Sequence, residues 1–140
     1  GGPPIWVGGS SPAAVRRAAR LGDGWLPQGP PEGGMRAAIE RIGQLREAAG
    51  RADEGFAVGV LCEPVRLGDP VTDQPSYALG GSADHVAERL GRYAERGINQ
   101  LQLSFLATSV GDYCDQLLRF GAEVAPHLPP QPAPPADPIR

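Results

Sequence analysis

The sequence predicts an α/β fold assembled from strand-then-helix units, and three observations carry that reading. Short apolar runs rich in β-formers, such as Ile5-Trp6-Val7 and Phe56–Cys62, alternate with longer stretches. In the longer stretches apolar residues recur every three to four positions, the period of a helix with one buried face. Glycine and Ser-Pro punctuation separates the two kinds of segment. Four β-then-α units are counted, and such a repeat implies a parallel sheet with right-handed crossovers. The strands are expected near residues 4–8, 24–27, 56–62 and 100–105, parallel, in sequential order, with helices on one side.

The segment Pro3–Pro27, PPIWVGGSSPAAVRRAARLGDGWLP, organises the rest. Ile5, Trp6 and Val7 form an unbroken apolar run, which predicts a strand buried on both faces and places Trp6 in the core. Gly8 and Gly9 end it, because glycine tolerates backbone angles that other residues resist. Ser11 stands where a helix N-cap belongs and Pro12 at the first helical position, where a missing N–H costs nothing. The helix Ser11–Leu21 carries Val15, Ala18, Ala19 and Gly22 on one face and Arg16, Arg17 and Arg20 on the other.

Gly24-Trp25-Leu26 opens the second unit. Its helix, about Pro31–Ala49, turns Met35, Ala38, Ile39, Ile42, Leu45 and Ala49 inward, with Gly33 and Gly34 weakening its first turn. Arg36–Glu40 and Glu47–Arg51 are spaced as solvent-side helical pairs, and Gly50 closes the helix. The third strand is Phe56–Cys62. A connection of about 19 residues, Glu63 to Gly81, follows it with three prolines; loops of that length are commonly functional or mobile. Ser82 caps the third helix, whose inward residues are Val86, Leu90, Tyr93 and Ala94, with Glu88–Arg92 as an outer pair. Gly97 ends it. The fourth strand, Gln100–Phe105, alternates polar and apolar residues. The last helix, about Val110–Val124, directs Tyr113, Leu117, Phe120 and Val124 inward. Residues 1–125 thus read as one partial domain, and 126–140 as a proline-rich tail, extended or disordered.

Composition narrows the function. Apolar content of 41% is that of a soluble globular protein, and no run approaches the roughly 18 apolar residues of a membrane span. A net charge of −3 without a basic stripe argues against nucleic acid and membrane surfaces as partners. All 13 basic residues are Arg. The start, Gly-Gly-Pro-Pro, has neither initiator Met nor signal-peptide character, and reads as a processed or partial chain. Cys62 and Cys114 lie far apart without metal-ligand spacing, as free thiols of a cytoplasmic protein do.

Ligands of parallel α/β proteins gather at the C-terminal ends of the strands, here Gly8–Ser11, Pro27–Gly29, Cys62–Pro64 and Ser104–Thr108. Glycines between a strand and a helix start leave free N–H groups aimed at one point, where a phosphate is the usual occupant. A tight strand–helix connection without a ligand uses the same pattern, and Ser11 can serve as plain cap. Asp23 lies at the opposite end of its strand, where a turn role is expected. Glu63 is a rim residue without a partner in sequence. His85 and His127 stand near no other metal ligand, so no metal is expected. No nucleophile–base pair or carboxylate dyad emerges, as in enzymes whose reactive group is a bound cofactor.

The string PIWVGGSSPAAVRRAARLGDGW resembles a segment in the second half of the bacterial luciferase-like family of flavin- and deazaflavin-dependent oxidoreductases. The stretch Leu79–Ile98, LGGSADHVAERLGRYAERGI, is similar to that family's last crossover helix. The resemblance covers most of residues 3–125. It implies four βα units forming the C-terminal half of a TIM (β/α)8 barrel; a small open four-stranded sheet is the alternative from the residues alone. It implies an oxidoreductase or monooxygenase that uses coenzyme F-420, a deazaflavin, or else FMN, on a small organic substrate. Gly8, Gly9, Ser10 and Ser11 match the turn that holds the cofactor phosphate; catalytic residues would lie in the first half of the barrel. The alternative is a non-catalytic remnant or interaction module. The open edges of a half-barrel imply a partner, either the missing N-terminal half or a second copy.

Overall fold

The computed structural model describes residues 2–130. Its elements, in chain order, are β1 (Trp6–Gly8), α1 (Pro12–Leu21), β2 (Gly24–Leu26), α2 (Gly34–Ala48), β3 (Ala57–Leu61), β4 (Val65–Leu67), β5 (Leu79–Gly81), α3 (Ala83–Ala94), β6 (Gln100–Gln102) and α4 (Val110–Arg119). A π-helical turn, Phe120–Val124, and a 3-10 turn, Ala125–His127, extend α4. The described residues divide into two compact units, one of residues 2–61 and 96–101, the other of 62–95 and 102–130.

A four-stranded sheet runs in the expected sequential order, β1-β2-β3-β6. β1 and β2 are parallel with Trp6 opposite Gly24, Val7 opposite Trp25 and Gly8 opposite Leu26. β2 and β3 are parallel with Gly24 opposite Ala57. At the start of β6, Asn99 binds β3 three times: its N–H donates to the Val58 carbonyl at 3.0 Å, its side-chain oxygen accepts from the Val58 N–H at 2.8 Å, and its amide donates to the Phe56 carbonyl at 3.1 Å.

The two faces of this sheet differ. Trp25 is fully buried, and Ala14, Val15, Ala18 and Ala19 of α1 are buried with it, as the small-residue face of that helix predicts. On the other face lie Trp6, Gly24, Leu26 and Gly59. A methyl group on Gly24 would stand 2.9 Å from the Trp6 ring, and one on Gly59 would stand 2.7 Å from it. The indole therefore lies flat over two glycines, at a separation no side chain could share. Its outer surface is open, with Trp6 41% exposed and Ile5 and Leu61 exposed too. This corrects the expectation of a first strand buried on both faces. An unbroken apolar run looks the same whether its second face is covered by this chain or left open.

Several helix boundaries and faces also move. α2 begins at Gly34, and Gly33 before it has φ +75. Its buried residues are Ala38, Ile42 and Arg46, while Ala49 is exposed. Arg46 turns inward because its guanidinium donates to the carbonyls of Arg51 and Glu54 and stacks 4.5 Å from the centre of the Phe56 ring. Burial, the largest cause, holds its pKa below the ordinary arginine value. The expected Glu47–Arg51 pair is replaced: Arg51 binds Glu54 at 2.6 Å and approaches Asp23 at 3.8 Å. Arg36–Glu40 and Glu88–Arg92 form as expected, at 3.0 and 2.6 Å.

In the second unit, the stretch expected to be a long loop after Cys62 contains the parallel pair β4 and β5, with Val65 opposite Leu79 and Leu67 opposite Gly81. Three-residue strands with prolines between them show no periodicity. β5 leads into α3, capped by Ser82, with Val86, Ala87 and Leu90 buried; Ala94 is exposed. Phe105, expected within the fourth strand, makes only a bridge to Val65 and packs edge-on against Tyr113 and Phe120. Tyr113 and Leu117 remain 40% and 45% exposed, contrary to the inward face read from α4, and Gln116 is buried instead. Of the tail, residues 126 and 127 belong to the 3-10 turn rather than to an extended chain; residues 131–140 lie outside the described residues.

Candidate functional site

The turn between β1 and α1 sits at the C-terminal end of its strand, and each of its residues has a separate task. Gly9 adopts φ +104, a region that L side chains rarely enter, and an added methyl would press on Ala14 at 3.3 Å. Its N–H donates to the Leu26 carbonyl at 3.2 Å and its carbonyl accepts from the Trp25 indole at 2.8 Å. Gly9 is thus tied to β2 in both directions, and its N–H is already engaged. Gly8 is exposed, and a methyl there would meet the Gln28 side chain first, at 3.4 Å, within ordinary van der Waals contact.

Ser10 donates its hydroxyl to the Gly29 carbonyl at 2.7 Å, which draws the loop after β2 against the turn. Ser11 caps α1: its Oγ accepts from the Ala14 N–H at 3.2 Å. A hydroxyl oxygen that accepts still has its own proton to donate. Pro12 has no N–H. Among the described residues, the N–H groups of Ser10, Ser11 and Ala13 meet no acceptor. They stand at the positive end of a ten-residue helix. The structure therefore shifts emphasis within the predicted turn. The donors are Ser10, Ser11 and Ala13, while Gly8 and Gly9 supply shape. Ala13 went unread in the sequence because alanine signals nothing by its side chain; the spacing from an N-cap was the available clue.

The turn and the Pro27–Gly29 loop are brought together by the Ser10–Gly29 bond. Asp23 lies at the other end of β2 and accepts from the Ile5 N–H at 2.8 Å, a tie between the starts of β1 and β2 rather than a bond within its own turn. In the second unit, Glu63 accepts from the Tyr93 hydroxyl at 2.9 Å, a partner 30 residues away that sequence alone did not show. Cys62 is a free thiol; burial first, and Glu63 second, push its pKa up to about 12, so it stays protonated at neutral pH. His85 donates its backbone N–H to the Ser82 cap, and His127 lies in the 3-10 turn. No group of three or more His, Cys, Asp or Glu able to hold a metal occurs among the described residues. Nor is any helix among them long and apolar enough to cross a membrane.

Comparison with known proteins supports the fold. Residues 1–66 match the family model of the luciferase-like monooxygenases. A coenzyme F-420-dependent tetrahydromethanopterin reductase from Methanopyrus kandleri superposes with a TM-score of 0.66 at 14% identity, over 90% of this chain and 51% of that one. An F-420-dependent secondary alcohol dehydrogenase, solved with an F-420–acetone adduct, gives 0.66 at 15% identity, over 91% and 49%. A long-chain alkane monooxygenase gives 0.59 at 14%, over 89% and 40%. The chain spans about half the length of these solved structures or less.

Proposed function

We propose, on the premise that residues 1–66 belong to the luciferase-like monooxygenase family, that the Gly8–Ser11 turn holds the phosphate of a flavin-type cofactor in an oxidoreductase. The cofactor is coenzyme F-420 or, as second choice, FMN. The observation that carries this reading is the set of three N–H groups, on Ser10, Ser11 and Ala13, that have no acceptor beside a capped helix start. An anion there accepts three backbone donors and, in addition, the Ser11 hydroxyl proton. The residues fit the group because Gly8 leaves the approach open and Gly9 bends the chain without filling it. The bound ring would supply hydride transfer or oxygen activation; this segment's own part is to anchor and orient, and it contributes no proton-transfer pair. Coenzyme F-420 is placed first because two of the three similar solved structures are F-420-dependent enzymes.

The finer architecture belongs to the same proposal. The four sheet strands would be part of the C-terminal half of a (β/α)8 barrel in the cytoplasm, with the Trp6 face of the sheet turned to the barrel interior. Its cover would be the family's first half or a second copy of this chain, and the small organic substrate would be bound with that half in place.

The test is Ser11→Asp. Aspartate is as good an N-cap as serine, so the helix keeps its cap while a carboxylate takes up the position of the anion. Affinity for FMN and for coenzyme F-420, followed by fluorescence or by amide shifts, should fall at least about tenfold, the loss expected of one or two charge-assisted bonds, with unchanged unfolding temperature. Undiminished affinity would place the phosphate elsewhere.

A further inference from the structure

Between the first turns of α1 and α2 runs a cleft of about 290 Å³ whose lining includes Ser10, Pro12, Arg16, Glu32, Gly33 and Arg41. Ser10 belongs both to this cleft and to the turn, so the two adjoin at that residue. Arg16 lies on α1 and Arg41 on α2, with Glu32 in the loop before α2, so two guanidinium-bearing residues and one carboxylate-bearing residue border the same cleft. Among the described residues neither arginine forms an ion pair; the Arg41 guanidinium donates a hydrogen bond to the Gln44 side chain at 3.3 Å. Other arginines of the same unit are closed onto carboxylates, Arg36 on Glu40 and Arg51 on Glu54. Arg16 and Arg41 instead border a concavity. A guanidinium is a planar fork of donors that matches a carboxylate or a phosphate, and it does so best where a wall excludes part of the water. Both α1 and α2 also direct their positive ends towards this region.

We infer that the cleft receives a second anionic group, carboxylate or phosphate, of the ligand whose first phosphate occupies the Gly8–Ser11 turn, with Arg16 and Arg41 as its counter-charges. This rests on the reading of that turn. It narrows the ligand class to cofactors that carry negative charge beyond their first phosphate. FMN, which ends at a single phosphate, leaves the cleft unused. Coenzyme F-420, which bears carboxylates beyond its phosphate, fills it. Glu32 opposes the same group and holds the affinity below what the two arginines alone would give.

The 140-residue chain is titrated with FMN and with coenzyme F-420 while backbone amide shifts are followed, which detects millimolar binding. Three proteins are compared with the parent: Arg16→Gln/Arg41→Gln, Glu32→Gln and Ser11→Asp. All four side chains are exposed, so the fold is preserved and the spectra verify it. The double variant should weaken coenzyme F-420 by roughly three- to tenfold, the range for two partly exposed charge contacts, and flatten its salt dependence. FMN should stay within about twofold, and Glu32→Gln should tighten coenzyme F-420 alone. Equal losses for both ligands, or no loss for coenzyme F-420, would overturn the assignment. If Ser11→Asp leaves both ligands unaffected while the double variant weakens coenzyme F-420, the turn reading fails and the cleft is an anion site in its own right. Absence of shifts with either ligand overturns both.

Discussion

The β1–α1 turn and the contact between β4 and α4 treat their polar groups in opposite ways. In the turn, three backbone donors have no partner within the described residues. Around Leu67 every donor and acceptor is matched. The Leu67 N–H donates to Gln116 Oε1 at 2.7 Å, and its carbonyl accepts from the Gln116 amide at 3.2 Å and from Arg119 at 3.1 Å. Leu67 is 1% exposed and Gln116 2%. Water cannot reach such groups, and an unpaired one costs far more than a paired one returns. The exposed turn can leave its donors to solvent or to a ligand. Saturation marks a place that holds the fold together, and open donors mark a place that can bind.

The comparison is broken most severely at Gln116. Gln116→Leu keeps the volume but strands the Leu67 N–H in a buried position, and should cost about 2–3 kcal/mol in urea unfolding. A loss under about 0.5 kcal/mol would mean that water reaches Leu67 and that the contact is not closed. Ser11→Asp, by contrast, should leave stability alone while the proposed anion binding weakens at least about tenfold, the signature of a site rather than of a strut.

A smaller effect is expected at the neighbouring Asp112. Its carboxylate accepts from the Thr108 N–H at 2.8 Å and from Arg66 at 2.7 and 2.8 Å. The Thr108 bond first, and Arg66 next, hold its pKa below the ordinary value of about 3.9. A carboxylate depressed in this way stabilises the fold above its unfolded pKa, and the contribution disappears as pH falls through its folded value. Urea midpoints of Asp112→Asn should therefore decline less steeply than the parent's below about pH 4. Parallel acid limbs for the two proteins would remove Asp112 from the account.

The smallest effect belongs to the outer helical pairs. Glu88→Gln breaks the 2.6 Å contact to Arg92, yet both side chains are more than half exposed. The change should stay within about 0.5 kcal/mol by thermal unfolding. A larger loss would mean that surface pairs share the structural task assigned here to buried ones.

What the sequence determined by itself is local. The Ser11-Pro12 start of α1, its alanine-lined face, the Ser82 cap and the parallel order of β1, β2 and β3 follow from residues adjacent in the chain or one helical turn apart. Caps, glycines and periodicity act over that range, so they can be read without coordinates. The Gly-Gly-Ser-Ser turn was legible for the same reason. What tertiary structure decided depends on partners distant in sequence. Arg46 is buried because carbonyls of the following loop and the Phe56 ring receive it, and Gln116 because Leu67, 49 residues away, needs its amide. Trp6 lies on the open sheet face because Gly24 and Gly59 clear a bed for its ring. Even within the turn, only the approach of Leu26 shows that the Gly9 N–H is occupied, leaving the free donors to Ser10, Ser11 and Ala13. Hydropathy ranks a residue by its own chemistry, whereas burial and hydrogen bonding are settled by whichever distant group completes the contact.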